Sequence, residues 1–163
     1  MAGKKKDRSN EPEVLNRRAH HDYHILETLE VGVKLVGTEV RSIRAGRCSI
    51  GEGFVRAEAD PPRLTLYGVH VDEYAAAGPA AGGRQHPLAR HRVLLAHKRE
   101  IVKLAKASQE KGTTIVPLKM YFKEGRVKLL IGVAKGKQAH DKRQDIQKRE
   151  HARDLQRAMS KKL

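Results

Sequence analysis

For chemistry this chain offers guanidinium groups, amines and imidazoles, with few candidate nucleophiles. Lys135, Gly136, Lys137, His140, Asp141, Lys142 and Arg143 open the last 30 residues, and Lys148, Arg149, Arg153 and Arg157 follow. Arg149, Arg153 and Arg157 recur every fourth position, so on a helix they would form one stripe. From Ala134 to Leu163 ten Lys/Arg stand against four Asp/Glu, a net of +6. Such a stretch buries too little apolar surface to offset the entropy of ordering it, so it is expected to stay disordered when free. Its order should come from a polyanion, RNA foremost. Near the other end, Asn16, Arg17, Arg18 and Ala19 precede His21 and Tyr23. Guanidinium planes and rings stack on unpaired bases, and guanidinium forks bind phosphate. Lys119, Tyr121, Lys123, Arg126 and Lys128 lie on two late strand-like runs, where alternation lets 119, 121 and 123 share a face. A merely solvated polar face is the competing reading there.

Other chemistries fare worse. His20, His21, Asp22 and His24 have metal-binding donors, but neighbours on an extended segment point in opposite directions and no second pair matches them. No metal and no cofactor is expected. Gly51-Glu52-Gly53 lacks the third glycine and following helix of a dinucleotide turn, and reads as a strand-entry turn. No Ser, His and acid trio has a nucleophile's context. Asp141 and Asp145 sit among Lys142, Lys148 and Arg149 and are expected to pair with them. The reading is non-enzymatic, with a metal-dependent nuclease as the enzymatic rival.

The whole chain agrees with a phosphate-seeking protein. Its 163 residues carry a net charge of +15, of which +1 falls in residues 1–13, +8 in 14–133 and +6 in the tail. Barrel and tail should both attract phosphate backbones and release counterions on binding. No segment alternates a broad apolar helical face with Lys/Arg, and none approaches the roughly 20 apolar residues that span a bilayer, so no membrane partner is expected. The single Cys48 excludes an internal disulfide framework and fits a reducing compartment. The N-terminus has no apolar run after Lys4, Lys5 and Lys6, so a cytoplasmic location is expected.

These residues need elements to position them. Residues 1–13 are expected to be disordered, 14–133 to form one domain, and 134–163 a basic tail. Tyr23–Leu29 and Val31–Val36 read as strands separated by a turn at Glu30–Gly32. Gly37–Arg44 is a short helix capped by Thr38, or a strand. Ile50–Glu58 and Leu64–Val69 form a hairpin about Asp60-Pro61-Pro62. Residues 75–88 make a low-complexity loop. A helix spans 97–111, with Ile101, Leu104 and Ala105 on one face. Thr113–Phe122 and Arg126–Val133 are strands joined at Lys123-Glu124-Gly125. Many short strands with one long helix predict a mainly β fold, a small antiparallel barrel of OB-like type that presents an outer face to nucleic acid. A resident ribosomal or initiation-factor-like barrel is the alternative function.

Five ordered blocks carry a family resemblance. They are Asn16–Ala19 with Asp22-Tyr23; Gly37–Arg44; Arg90, Arg92, Leu94 and Leu95 with Glu100-Ile101; Gly112–Leu118; and Gly132–Lys137 with Asp141–Arg143. Over roughly residues 14–157 the chain resembles the SsrA-binding protein (small protein B) family of bacterial trans-translation. The resemblance implies a barrel with flanking helices that binds the tRNA-like domain of transfer-messenger RNA. That complex would travel with elongation factor Tu and GTP to stalled ribosomes. The tail would lie as a helix in the empty message channel, beside small-subunit RNA at the decoding centre, and the nascent chain would be tagged for proteolysis. A monomer is expected. Asn16, Arg17, His21, Tyr23, Glu30 and Leu95 fall at positions that bind RNA or support its surface. Glu30 would act by orienting a basic neighbour. Gly136, Lys137, His140, Asp141, Lys142 and Arg143 match the tail motif, with His140 stacking on a base. Gln138 stands where the family often has a second Lys, and His151 where an aromatic can occur.

Overall fold

β-branched residues alternate with polar ones along most of the chain, and the strands they form roll into a closed sheet. The computed structural model describes residues 11–78, 83 and 85–160, and not the side chains of residues 139, 140, 145 and 149. The elements are β1 (Val14–Leu15), α1 (Arg17–Asp22), β2 (Tyr23–Val33), α2 (Gly37–Arg44), β3 (Cys48–Ser49), β4 (Phe54–Ala59), β5 (Pro62–Tyr67), β6 (His70–Val71), a 3-10 turn (Ala75–Ala77), β7 (Arg92–Leu95), α3 (Lys98–Ser108), β8 (Thr113–Lys123), β9 (Arg126–Gly136) and α4 (Ala139–Ser160). The expected disorder of residues 1–13 falls almost wholly outside the described residues, as do positions 79–82 and 84 of the low-complexity loop.

The main sheet runs β1-β8-β4-β5-β7-β2-β9, and a further pairing of β8 with β9 closes it into a barrel, all antiparallel. Closure leaves few free sheet edges, and inward residues fill the interior. Val31, Leu64, Leu66, Ile115, Met120, Leu129 and Ile131 are at most 1% exposed there. Each such side chain contributes about 1.5–3 kcal/mol by leaving water. Ile101 and Leu104 of α3 join the same core, and the Glu100 carboxylate accepts the His97 backbone N–H (2.9 Å) at the start of that helix.

The structure departs from the sequence expectations at three places. First, the two early strands are one, β2. Pairings Leu29↔Ile131, Glu30↔Leu130 and Val31↔Leu129 hold the chain extended where a turn was expected. Second, residues 17–22 are helical, because the Asn16 side chain accepts the Ala19 N–H (3.1 Å) and caps a helix there. Third, the domain does not end at 133. Ala134 is fully buried, and Lys135 and Gly136 complete β9 by pairing with His24 and Tyr23 on one side, while Lys135 also pairs Thr113 on the other. The tail carries a 22-residue helix, α4, the conformation that the resemblance implies for it in the message channel. Its Lys, Arg, Gln and Ala content favours helix, and almost every described side chain from Arg143 to Ser160 is exposed. The open choice at Gly37–Arg44 resolves as a helix, with Glu39 in the capping role expected of Thr38: its carboxylate accepts the Val36 N–H (2.9 Å).

Candidate nucleic-acid interface

One group of expected contact residues gathers at the far end of β2. Glu30 accepts hydrogen bonds from the Tyr121 hydroxyl and from Lys123 Nζ (3.1 Å). The Tyr121 phenol first, and Lys123 second, hold the Glu30 carboxyl below its usual range. Burial first, then the Glu30 bond, pushes Tyr121 up to about 12. Lys119 Nζ lies 5.2 Å from the Tyr121 ring centre and pairs with Glu13 at 2.8 Å. Register places Lys128 and Leu95 on either side of Gly32, across β9, β2 and β7. Gly32, Leu95, Arg126 and Lys128 line a pocket of about 370 Å³. Leu95 is 57% exposed. Glu30 therefore does what an acid can do on a basic face: it fixes a lysine and a tyrosine.

The second group lies at the start of β2, seven residues or roughly 23 Å of extended chain away. Asn16 is buried. It caps α1 and donates to the carbonyls of Pro117 (2.8 Å) and Ile50 (3.3 Å), so of its two expected roles it fits support of the surface. Arg17 and Arg18 point outward on α1, Arg18 against Glu52. His21 Nδ1 lies 2.9 Å from Asp22, and Tyr23 is half-buried. The root of the tail is fastened here. Lys137 donates through Nζ to the His20 carbonyl (2.9 Å) and through its backbone N–H to Asp22 (2.9 Å). Lys142 Nζ bonds Asp22 (2.9 Å), which together with His21 holds the Asp22 carboxyl low. Asp141 reaches the Gln138 N–H (3.3 Å) and His24 Nε2 (3.5 Å). Beyond this root, Arg143, Lys148 and Arg153 are exposed along α4. The side chains of His140 and Arg149 lie outside the described residues.

Parts of two of the resembling blocks, Glu39 in one and Arg90 with Arg92 in the other, are scaffold. Arg92 is fully buried, donating to Glu39 (2.9 Å) and to the carbonyls of Val69 (2.7 Å), Arg90 (2.8 Å) and Leu88 (3.2 Å). Arg90 makes two further bonds to Glu39 (2.8 and 2.7 Å). Burial raises the Glu39 pKa, yet Arg90, the Val36 N–H and Arg92 outweigh it and the net shift is downward. The cluster ties α2 to β7. The sequence reading missed this role of Glu39, and it missed a row of rings on β4, on β5 and at the residue just before β7. Among the described residues no three His, Cys, Asp or Glu converge on a metal-sized site, and no helix is long and apolar enough to cross a membrane.

A closed barrel with basic surfaces at both ends of one strand, and a cationic helix rooted beside one of them, defines an RNA-binding barrel protein. The chain matches the family described as SmpB protein over residues 13–161, and it belongs to that family. It is 47% identical to the SsrA-binding protein of Carboxydothermus hydrogenoformans over 145 residues, 88% of this chain and 93% of the relative. It is 44% identical to that of Thermobifida fusca over 165 residues, 99% of each. Among solved structures it is similar to a chain described as "tmRNA-SmpB: a journey to the center of the bacterial ribosome", with TM-score 0.64 and 43% identity over 78% of this chain and 86% of that one.

Proposed function

We propose that this protein is the RNA-binding adaptor of trans-translation. In this reading the barrel grips the tRNA-like domain of transfer-messenger RNA through the Glu30–Lys123–Lys128 surface with Leu95. α4 then lies in the empty message channel of a stalled ribosome, among small-subunit RNA. The observation that supports it most is the tail's construction. Its root is bonded to α1, while Arg143, Lys148, Arg153 and Arg157 beyond it are exposed, Arg157 in a surface pairing with Asp154 (3.7 Å), and residues 134–163 keep a net charge of +6 to be neutralised. Polyanionic walls supply that neutralisation. Delivery with elongation factor Tu and GTP, a monomeric and cytoplasmic state, and the absence of catalysis complete the proposal.

The test uses a chain ending at Gln138, past the last β9 pairing. It should bind a transcript of the tRNA-like domain as the full chain does, yet support no tagging in a reconstituted translation system. Tagging by the shortened chain would refute the tail mechanism. Failure of the full chain to bind the transcript at low salt would refute the adaptor reading itself.

A further inference from the structure

We propose that the outer face of β4, β5 and β7 is a second RNA site, a stacking platform for unpaired nucleotides built from Phe54, Tyr67 and His91. Phe54 and Tyr67 are direct cross-strand partners, their rings stacked with centroids 5.2 Å apart and planes 10° apart. His91, one step beyond the Leu66↔Arg92 pair, continues the row at 4.3 Å from Tyr67, tilted 47°. Phe54 is 48% exposed and His91 is exposed. The chain has six aromatic side chains, two Phe and four Tyr, and fills the barrel with aliphatic residues. Two of those six rings stand on an open face, where burial gives them no return.

The row is held in place. Gly68, next to Tyr67, has φ +67°, and a Cβ there would sit 2.5 Å from the Glu52 carbonyl oxygen. Only glycine therefore fits beside Tyr67, where the backbones of residues 52 and 68 run close together. Cations flank the row. Arg56 and Arg63 project from the same faces of β4 and β5, and the Arg56 side chain is 68% exposed, with only a surface pairing to Glu58 (3.4 Å). On the other side Phe54 and Arg18, the latter in a surface pairing with Glu52 that a phosphate can replace, line one pocket of about 220 Å³ with Asp22, Tyr23, Glu52 and Thr114. Rings for bases with guanidiniums on both sides for phosphates match a single strand. A duplex keeps its base faces covered, and a protein partner would find the apolar strip narrow and rimmed by charge. The platform is separate from the Glu30 surface: His91 and Leu95 are four residues, roughly 13 Å, apart along β7. It rests on the adaptor reading only in that its ligand is RNA.

The full-length protein is to be irradiated with a single-stranded oligonucleotide carrying 5-iodouridine, and the linked peptides mapped. Links at Phe54, Tyr67 or His91 are expected. The double substitution Phe54→Leu with Tyr67→Leu keeps apolar bulk and removes both rings. Measured in high salt, where attraction to α4 is weakest, it should weaken oligonucleotide binding about tenfold. The salt slope should not change, since no phosphate contact is lost. Binding of the tRNA-like transcript should be unaltered, so failure here is distinct from failure of the adaptor reading. Links confined to α4 and the Glu30 surface would overturn the proposal, leaving the row to a protein partner. Links at the rings with unchanged affinity in the variant would overturn it as well.

Discussion

The barrel and α4 handle charge in opposite ways. Within the barrel, Arg92 and Glu39 are both fully buried, and the Arg92 guanidinium is met by one carboxylate and three carbonyls. Beyond Lys142, which Asp22 holds, the described cations of α4 stand in solvent, and so do apolar residues: Leu155 is 53% exposed and Met159 71%. A helix of 22 residues is about 33 Å long, yet without a packed face its stability in water is marginal. The same residue type therefore means two things here. The buried Arg92 is a strut whose partners are in this chain, whereas the exposed Arg143 and Arg153 of α4 keep their charge open to solvent.

The sharpest way to break the contrast is to remove one partner in each region. Glu39→Gln leaves Arg92 buried without its counter-charge, which should cost about 3–5 kcal/mol. That is a large part of a domain's whole stability. Arg153→Gln on α4 should move unfolding by less than about 0.5 kcal/mol. Urea titrations followed by circular dichroism measure both, and comparable losses would show that α4 is packed in solution.

Packing gives the next contrast. A Cβ on Gly132 would lie 2.9 Å from Leu118 Cδ1 and 3.1 Å from Ile25 Cγ2, where both neighbours are gripped by the sheet. Gly132→Ala should therefore cost about 1–3 kcal/mol as overpacking. Ala152→Gly on α4 lowers helix propensity by about 1 kcal/mol and should leave the barrel's melting temperature where it is. Thermal scans of the two variants decide it.

How far these regions were readable follows from the range of their determinants. β8, β9 and α3 come from local patterns, a β-branched run or a 3.6-residue period, and the turn at Glu124–Gly125 has both φ values positive as such a hairpin requires. Gly32 misled because a glycine punctuates local sequence, whereas pairing with β9 and β7 on either side decides its conformation. The end of β9 misled because Lys135 and Gly136 look like tail, and only partners a hundred residues away place them in the sheet. Glu30 and Tyr121 are joined across 91 positions, beyond any spacing rule. The ring row was within reach. Counting outward from a three-residue turn at Asp60-Pro61-Pro62 sets Phe54 opposite Gly68, one step off; with Pro62 paired to Ala59 the turn shortens to two residues and the count reaches Tyr67.

The Glu30 surface differs from the tail root in how it should titrate. The Glu30 pKa is lowered by folding, so its contribution is full above the ordinary value of 4.5 and fades as pH falls below that. Tyr121 is raised from 10 to about 12, so the neutral phenol contributes fully below pH 10 and is lost between there and about 12. Glu30→Gln should return one tyrosine toward 10 in a phenolate absorbance titration, and no change would separate Tyr121 from Glu30.

The smallest effect belongs to the Lys142–Asp22 bond, and it tests how the tail is aimed. The pair is about one-third exposed on each side, so its loss should cost below about 1 kcal/mol and leave the melting temperature unmoved. Its weakness is what an exchangeable contact needs, because a phosphate can replace Asp22 as the partner of Lys142 at little cost. Folding lowers the Asp22 pKa, so the bond is present above the ordinary carboxylate value of 3.8 and is lost as pH falls through the lowered one. Asp22→Asn should speed amide hydrogen exchange over the first turns of α4 while the β9 amides keep their protection. If the α4 amides exchange at the same rate in both proteins, the bonds of Lys137 to His20 and Asp22 suffice to hold the root, and Lys142 has no part in setting its direction.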